Sequence, residues 1–138
     1  GYDWSQWGVK RILLGCRQDS GGLVYKPLQD CLDSYLVGGT LGFQDILLDV
    51  EATSFQEKVY SIVSKIPFGE VRTYRWVAKE LGLDGGCQAV GAALKNNPVP
   101  LVIPCHRVVS AGGLGGFSAG LDWKEILLAH EGVNTQGK

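Results

Sequence analysis

The sequence predicts an α+β fold in which a small β-rich region precedes a longer helical one. Gly8–Leu14 has the length and the strand-forming residues of a short β-strand. From Ser54 onward, apolar residues recur instead at the spacing of an amphipathic helix. Two further short helical patterns, joined by Gly- and Asp-containing residues, have the outline of a helix-turn-helix. We therefore expect a small N-terminal α/β domain over residues 1–52 and a helical domain over residues 53–138.

The composition is that of an ordinary globular protein, with 45% hydrophobic and 20% charged residues. No apolar run approaches the roughly 20 residues that a membrane-spanning helix requires, so we expect no membrane partner. The first residues lack the charged start and apolar core of a secretory signal, which favours a cytoplasmic location. The net charge of −1 neither indicates nor excludes nucleic-acid binding, because a local basic face is sufficient for phosphate contact.

The elements of the first region are short and separated by glycines. Gly21-Gly22 predicts a turn ahead of a strand at Leu23–Tyr25. Asp30–Leu36 predicts a helix that Gly38-Gly39 ends, and Ile46–Val50 predicts another strand. The residues expected on the buried side of that helix are Leu32, Tyr35 and Leu36.

The second region begins with the clearest helical pattern. Thr53 or Ser54 can cap this helix, and Glu57 stands three residues after Ser54, as in a capping box. Pro67 and Gly69 are expected to end it. The apolar residues at helical spacing are Phe55, Val59, Ile62, Val63 and Ile66.

Three more helices are predicted over Thr73–Leu81, Gly86–Lys95 and Trp123–His130. Gly82 stops the first of them, and Gly132 is expected to cap the last. The middle helix carries small residues, which suit either close approach to a groove wall or tight packing on a neighbouring helix. A pair of short helices alone does not decide between these alternatives, since fold does not determine function.

The most reactive segment is Leu101–Val109, an apolar, strand-like run interrupted by Pro104. A thiol, an imidazole and a guanidinium then follow at Cys105, His106 and Arg107. Neighbouring cations lower the pKa of a thiol and favour the reactive thiolate, so Cys105 is a candidate nucleophile. The alternative is a buried, inert thiol, which is common for free cysteine.

His106 is the candidate base for Cys105. Side chains of adjacent residues point to opposite sides of an extended chain, so direct contact requires a turn or a bridging water. A carboxylate elsewhere must orient the imidazole, and Glu131 at the end of the last helix is the candidate. The alternative is that Glu131 is an ordinary exposed carboxylate.

The four cysteines and two histidines do not predict a metal site, because no C-x-x-C pair and no zinc-finger spacing is present. A Cys16–Cys31 disulfide is possible. The glycine-rich run Ser110–Gly120 lacks the patterns that bind phosphate and is more typical of a loop lining a pocket for a flat ligand. Basic residues gather in the middle of the chain and form either a phosphate-binding or a solvated face. They are Arg72, Arg75, Lys79, Lys95 and Arg107.

Several of these runs, taken in order, closely resemble one family, the O6-alkylguanine-DNA alkyltransferases. The resemblance covers about residues 54–133. The matching runs are Pro67–Tyr74, Ala89–Ala93, Asn97-Pro98, Ile103–Val109, Gly116–Leu121, Lys124 and Leu127–Gly132.

The resemblance implies a suicide DNA-repair protein that needs no cofactor and no metal. Cys105 would accept an alkyl group from O6 of guanine, after the base is flipped out of the duplex, and would keep it permanently. The partner would be double-stranded DNA carrying O6-alkylguanine. The family also implies a shortened ribonuclease H-like N-terminal domain, a winged helix-turn-helix-like C-terminal domain, a monomer, and a nuclear location in a eukaryote.

The resemblance also assigns roles to positions of this chain. The implied catalytic residues are Cys105, His106, Glu131, Asn97 and Tyr74, with a water bridging Cys105 and His106. The implied substrate-binding residues are Ser118, Val108, Phe117, Ala119 and Lys124. The implied DNA-binding residues are Gln88, Ala89, Thr73, Arg72, Arg75, Ala92 and Lys95, and Arg107 is expected to be structural.

The chain departs from the family pattern at three positions. Gln88 stands where an arginine usually fills the space of the flipped base, Phe117 replaces a common tyrosine, and Ala119 replaces a common glycine. The first 50 or so residues also lack the Cys/His set with which some members bind zinc. Two other functions remain open: an alkyltransferase-like protein that binds lesions without repairing them, and an unrelated thiol enzyme such as a hydrolase.

Overall fold

The computed structural model describes residues 1–14, 25–39, 42–43, 46–83, 85–115 and 120–133. These residues form five α-helices and four short β-strands, which agrees with the predicted α+β class. They divide into two compact units: Gly1–Glu51 with Pro98–Val102, and Ala52–Asn97 with Ile103–Lys138. No helix in the described ranges is both long enough and apolar enough to cross a membrane.

The first unit is built on an antiparallel hairpin of β1 (Tyr2–Ser5) and β2 (Gly8–Ile12), so the predicted strand from Gly8 is confirmed. The predicted strand at Ile46–Val50 is wrong. Only Leu48 forms a bridge there, parallel to Val9. The amide of Val9 donates to Leu47 and its carbonyl accepts from Asp49, so the segment pairs at a single point beside the hairpin.

Helix α1 (Lys26–Leu36) begins four residues before the predicted start at Asp30. Pro27 lies in its first turn, where the missing amide proton costs no helical hydrogen bond. The buried side also differs from the prediction, since Leu36 is exposed. The buried residues of α1 are Leu28, Cys31 and Tyr35.

Three predictions for the first region fall wholly or partly outside the described residues. The turn at Gly21-Gly22 and most of the strand that follows it lie there, and so does Cys16. The proposed Cys16–Cys31 disulfide therefore stays a prediction. The thiol of Cys31 donates to the carbonyl oxygen of Gly42.

The second unit begins with α2 (Ser54–Val63), whose cap is Thr53. The capping box joins Thr53 to Gln56, rather than Ser54 to Glu57. The Thr53 hydroxyl accepts from the Gln56 amide at 3.1 Å, and the Gln56 side chain accepts from the Thr53 amide at 2.9 Å. The box therefore lies one residue earlier than expected, because Ser54 already has helical geometry.

Helices α3 (Tyr74–Glu80) and α4 (Cys87–Lys95) confirm the two short helices that the sequence predicts. They pack against each other and against α2. The last helix, α5 (Leu121–His130), begins two residues before the predicted Trp123. Branched aliphatic residues from these helices form the core, and each contributes about 1.5–3 kcal/mol when fully buried. They include Val59, Val63, Val77, Val90, Leu94, Leu127 and Leu128.

A two-stranded parallel sheet, not predicted from the sequence, joins distant parts of this unit. β3 (Arg72–Thr73) pairs with β4 (Val108–Val109). Tyr74 begins α3 directly after β3, and the Cys105–Arg107 segment directly precedes β4. The sheet therefore brings the start of α3 beside the reactive segment.

Candidate active site

The sequence pattern of Leu101–Val109 predicted a strand, and the structure corrects this prediction. Cys105–Arg107 forms one 3₁₀ turn, closed by the Arg107 amide on the Pro104 carbonyl at 2.9 Å, and only Val108–Val109 is extended. Each residue of a 3₁₀ helix is rotated by roughly 120° from the last. The alternation expected of an extended chain therefore does not separate Cys105 from His106.

Cys105 is buried, with only 4% of its surface exposed. Burial raises the pKa of its thiol, while a hydrogen bond from the Asn97 side chain and the positive charge of Lys124 oppose this and lower it. The net result is a neutral thiol held among groups that stabilise its anion. Such a thiol requires a base before it becomes a nucleophile.

His106 is completely buried, and its Nε2 lies 2.6 Å from Oε2 of Glu131. Burial lowers the pKa of the imidazole, and the Glu131 carboxylate only partly offsets this effect. A neutral imidazole beside a carboxylate carries its proton on Nε2, which leaves Nδ1 as an acceptor. Nδ1 is buried and has no hydrogen-bond partner within the described part of the chain.

Glu131 is buried and accepts hydrogen bonds from three sides. Arg107 donates from Nε to Oε1 at 2.8 Å and from Nη2 to Oε2 at 3.1 Å, and the Gly69 amide donates to Oε1 at 3.3 Å. Arg107 also donates to the carbonyl of Ile66 at 2.8 Å. The structure thus excludes an exposed Glu131, and its charge is paired as a buried carboxylate requires.

Asn97 follows α4 and is buried. Its Nδ2 donates to the Ile103 carbonyl at 2.9 Å, and the Cys105 amide donates to the same carbonyl at 2.7 Å. Because Asn97 also bonds the thiol, it connects the end of α4 to both the backbone and the side chain of the reactive turn.

Lys124 on α5 is fully buried, and its Nζ donates to the Val108 carbonyl at 2.6 Å. Nζ also lies 5.7 Å from the centre of the Tyr74 ring, within the range of a cation–π interaction. Burial lowers the pKa of Lys124 to about 8, with the negative charge of Cys105 opposing the shift. Lys124 thereby joins Tyr74 to Val108, and its charge acts on Cys105.

The α4 residues of the predicted DNA-binding set lie on one exposed face. Gln88, Ala89, Ala92 and Lys95 are all exposed, and Ala92 lies four residues from Gln88 and three from both Ala89 and Lys95, spacings that share a side of a helix. The remaining members belong to β3 and α3, where Thr73 caps α3 through its hydroxyl and Arg75 is exposed.

Arg72 is held by neighbouring groups in this structure. Its guanidinium pairs with Glu70 at 2.9 Å, donates to the Val71 carbonyl at 2.9 Å, and lies 5.5 Å from the centre of the Trp76 ring. Three predicted substrate-binding residues, Phe117, Ser118 and Ala119, fall outside the described residues.

Two residues at the site were not predicted from the sequence. Tyr60 on α2 has a buried hydroxyl that donates to the Ala93 carbonyl at 2.8 Å. Gly115 has a φ of 76°, and a Cβ added there would lie 2.7 Å from Cε2 of Tyr74. The available sequence signals were the hydroxyl of Tyr60 within the apolar side of α2 and the position of Gly115 inside the glycine-rich loop.

Comparison with known families supports the resemblance that these motifs carry. A family model described as 6-O-methylguanine DNA methyltransferase, DNA binding domain, matches residues 54–133. This is more than half of the chain. The chain belongs to this family.

Curated relatives agree with this membership. A methylated-DNA–protein-cysteine methyltransferase of Methanosarcina acetivorans is 44% identical over 102 residues, or 73% of this chain and 65% of that protein. One from Methanosarcina barkeri is 42% identical over 130 residues, covering 94% of this chain and 82% of the relative. The aligned part thus spans less than two thirds of the M. acetivorans protein but most of the M. barkeri one.

A solved structure shows the same fold. The crystal structure of Mycobacterium tuberculosis OGT in complex with DNA superposes with a TM-score of 0.83 and 32% sequence identity. The match covers 94% of this chain and 84% of the solved one.

Proposed function

We propose that this protein repairs O6-alkylguanine in double-stranded DNA by transferring the alkyl group to Cys105, once and irreversibly. The observation that carries the proposal is the pairing of His106 with Glu131, which leaves a buried Nδ1 acceptor on the residue that directly follows the buried thiol of Cys105. On a chain of this family, that arrangement supports His106 as the general base that accepts the thiol proton.

The proposed transfer is a displacement at the alkyl carbon. The thiol proton passes through a water molecule to Nδ1 of His106, and the thiolate attacks the carbon. The S–C bond forms as the C–O6 bond breaks, and the electron pair of that bond stays with guanine. Tyr74 donates a proton to a ring nitrogen of the departing base, which neutralises it. The remaining Tyr74 phenolate regains a proton from solvent as His106 gives up the proton that it took from the thiol. The thioether is stable, so each molecule reacts once and no cofactor takes part.

Glu131 and Arg107 support the proton transfer without contacting the substrate. When Nδ1 accepts the proton, the imidazolium is stabilised by the carboxylate 2.6 Å from Nε2. Arg107 holds that carboxylate by two hydrogen bonds and anchors it to Ile66. This is the structural role proposed for Arg107.

The pocket for the flipped guanine is proposed to lie on the Tyr74 side of Cys105. The backbone at Cys105 and Val108 would accept from the exocyclic amine, and Ser118 would contact the O6 side. Lys124 supports this role because its bond to the Val108 carbonyl fixes the orientation of that group. Phe117 and Ala119 would complete the wall of the pocket.

The exposed face of α4 is proposed to enter the minor groove, as expected of a base-flipping protein that must scan any sequence. Ala89 and Ala92 permit close approach, Gln88 fills the space of the flipped base, and Lys95 contacts phosphate. Thr73, Arg72 and Arg75 are proposed to contact the adjacent backbone. We further propose that residues 1–52 are a shortened ribonuclease H-like domain, that residues 53–138 are a winged helix-turn-helix domain, and that the protein is a monomer.

Intact-protein mass spectrometry after incubation with a duplex containing one O6-methylguanine tests the proposal. The expected result is a stoichiometric gain of one methyl group, mapped to Cys105. Cys105→Ala should abolish the gain and retain duplex binding. Lesion binding without any mass gain would instead indicate an alkyltransferase-like sensor. Steady turnover of a small acyl substrate would indicate a thiol hydrolase.

A further inference from the structure

We propose that Tyr60 is a positioning residue, whose hydroxyl fixes the end of α4 and, through Asn97, the thiol of Cys105. The inference rests on the proposed function in that Cys105 is the alkyl acceptor. Tyr60 lies on α2, is 6% exposed, and belongs to none of the matching runs that carry the family resemblance.

The hydroxyl of Tyr60 gives a carbonyl near the end of α4 the hydrogen bond that the backbone would give it in a continued helix. In a continued helix, the Asn97 amide would donate to the Ala93 carbonyl, four residues earlier. It donates instead to the Leu94 carbonyl at 3.1 Å, which tightens the last turn. The Ala93 carbonyl accepts from the Tyr60 hydroxyl at 2.8 Å. The tight turn that positions Asn97 takes the helical donor away from the buried Ala93 carbonyl. The Tyr60 hydroxyl supplies the hydrogen bond that this carbonyl then needs.

Asn97 passes this restraint to the reactive turn. Its Nδ2 donates to the Ile103 carbonyl, which also accepts from the Cys105 amide. The Asn97 side chain also bonds the thiol of Cys105 and favours its anion. Consistent with close proximity, the negative charge of Cys105 adds to burial in raising the pKa of Tyr60.

Without its hydroxyl, residue 60 would leave the Ala93 carbonyl buried and unsatisfied. The Asn97 amide is the donor that an ordinary α-helix would offer this carbonyl, so we expect it to shift toward that bond. That shift moves the Asn97 side chain away from the thiol. We therefore expect the Cys105 pKa to rise and alkyl transfer to slow, beyond any general loss of stability.

The test is Tyr60→Phe, which removes one oxygen atom and keeps the ring. The pH dependence of Cys105 carboxamidomethylation by iodoacetamide reports the thiol pKa, and transfer from an O6-methylguanine duplex reports the rate. We expect the pKa to rise and the rate to fall roughly three- to tenfold, the range of a single hydrogen bond. Tyr2→Phe is the matched control, because the Tyr2 hydroxyl donates to Gln29 at the same 2.8 Å but in the other unit.

A double-mutant cycle with Asn97→Ser tests the route of the effect. If Tyr60 acts through Asn97, Tyr60→Phe should change neither the thiol pKa nor the rate further in the Asn97→Ser background. Should Asn97→Ser not fold, the single Tyr60→Phe variant still decides the question. A loss of stability with an unchanged thiol pKa and rate would overturn the proposal. The iodoacetamide measurement needs no DNA, so a wild-type protein that fails to accept a methyl group would refute the proposed function and leave this test intact.

Discussion

At the scale of single residues, burial decides the protonation states of the site. His106 and Cys105 are neighbours in the chain, yet burial lowers the pKa of the imidazole and raises that of the thiol. Both groups therefore favour their neutral forms, which is the starting state of a base–thiol pair. Their order in the sequence predicts the pair, but their surroundings set its protonation.

The first prediction concerns the His106 imidazole. Because burial lowers its pKa, the neutral base should persist below the ordinary value of 6.5. An NMR titration of the ring should give a midpoint under that value, and alkyl transfer should persist at the same pH. Glu131→Gln should lower the midpoint further, because the carboxylate that favours the charged form is lost. A midpoint at or above 6.5 would contradict the assignment of His106 as a buried neutral base.

The second prediction concerns Gly115. Gly115→Ala would force a side chain into a left-handed backbone and place Cβ 2.7 Å from the Tyr74 ring. Tyr74 must then move, and transfer should slow on the order of 10- to 100-fold, the cost of displacing a group by about 1 Å. Single-turnover rates on a methylated duplex measure the effect.

Gly112 supplies the control in the same loop. A Cβ there would meet nothing within 4 Å, so Gly112→Ala should transfer at nearly the wild-type rate. If Gly112→Ala and Gly115→Ala slowed alkyl transfer equally, the slowing would come from any substitution in this loop and not from the contact with Tyr74.

At the scale of elements, hydrogen bonds between neighbouring residues place the ends of the helices. The capping box of α2 uses Thr53 and Gln56, although Ser54 and Glu57 offer the same residue types one position later. Both registers satisfy the sequence pattern. In the structure Ser54 is already the first helical residue, which leaves Thr53 as the cap.

The exposed face of α4 carries the third prediction. Gln88→Arg adds a positive charge beside Ala89 and Ala92, so duplex affinity or the rate of repair on duplex should rise. If phosphate contact contributes, the slope of log affinity against log salt should steepen by about one. Gln88→Met introduces a long, uncharged side chain and so separates the effect of charge on affinity and rate from the effect of side-chain size. Unchanged affinity and rate in Gln88→Arg would refute the idea that residue 88 fills the space of the flipped base.

At the scale of the whole molecule, the fourth prediction links Lys124 to stability. Burial lowers its pKa from 10.5 in the unfolded chain to about 8 in the folded protein. The unfolded state thus binds more protons between these values, and the contribution of Lys124 to the free energy of unfolding should rise with pH across that window. Below pH 8, Lys124 is charged in both the folded and the unfolded state. Its burial then lowers the free energy of unfolding by an amount that does not change with pH.

Lys124→Met keeps the size of the side chain and removes the charge. Urea denaturation of both proteins between pH 8 and pH 10.5 should show a stability difference that shifts in favour of the wild type as pH rises. Parallel stability profiles would mean that Lys124 stays fully charged in the folded protein throughout this range.

Much of the second unit could be predicted because its signals are local. The helical spacing from Ser54, the two short helices before Asn97 and the run around Cys105 each lie within a few turns of chain. The first unit was predicted less well, because an isolated bridge such as Leu48 depends on a partner far along the chain. The buried side of α1 was predicted only in part, since Tyr35 is buried as expected but Leu36 is exposed.

The order of residues identifies the family and marks Cys105 as the candidate nucleophile, because both follow from residue types at fixed spacing. It names Glu131 as a candidate partner of His106 but does not bring the two together, and it gives no sign of the contacts of Tyr60 with Ala93 or of Lys124 with Val108. These three pairs are 25, 33 and 16 residues apart. Packing of the helices brought these pairs together and removed water from them. Since charge and proton affinity depend on that exclusion of water, the tertiary structure decided which groups at the site are neutral, charged or paired.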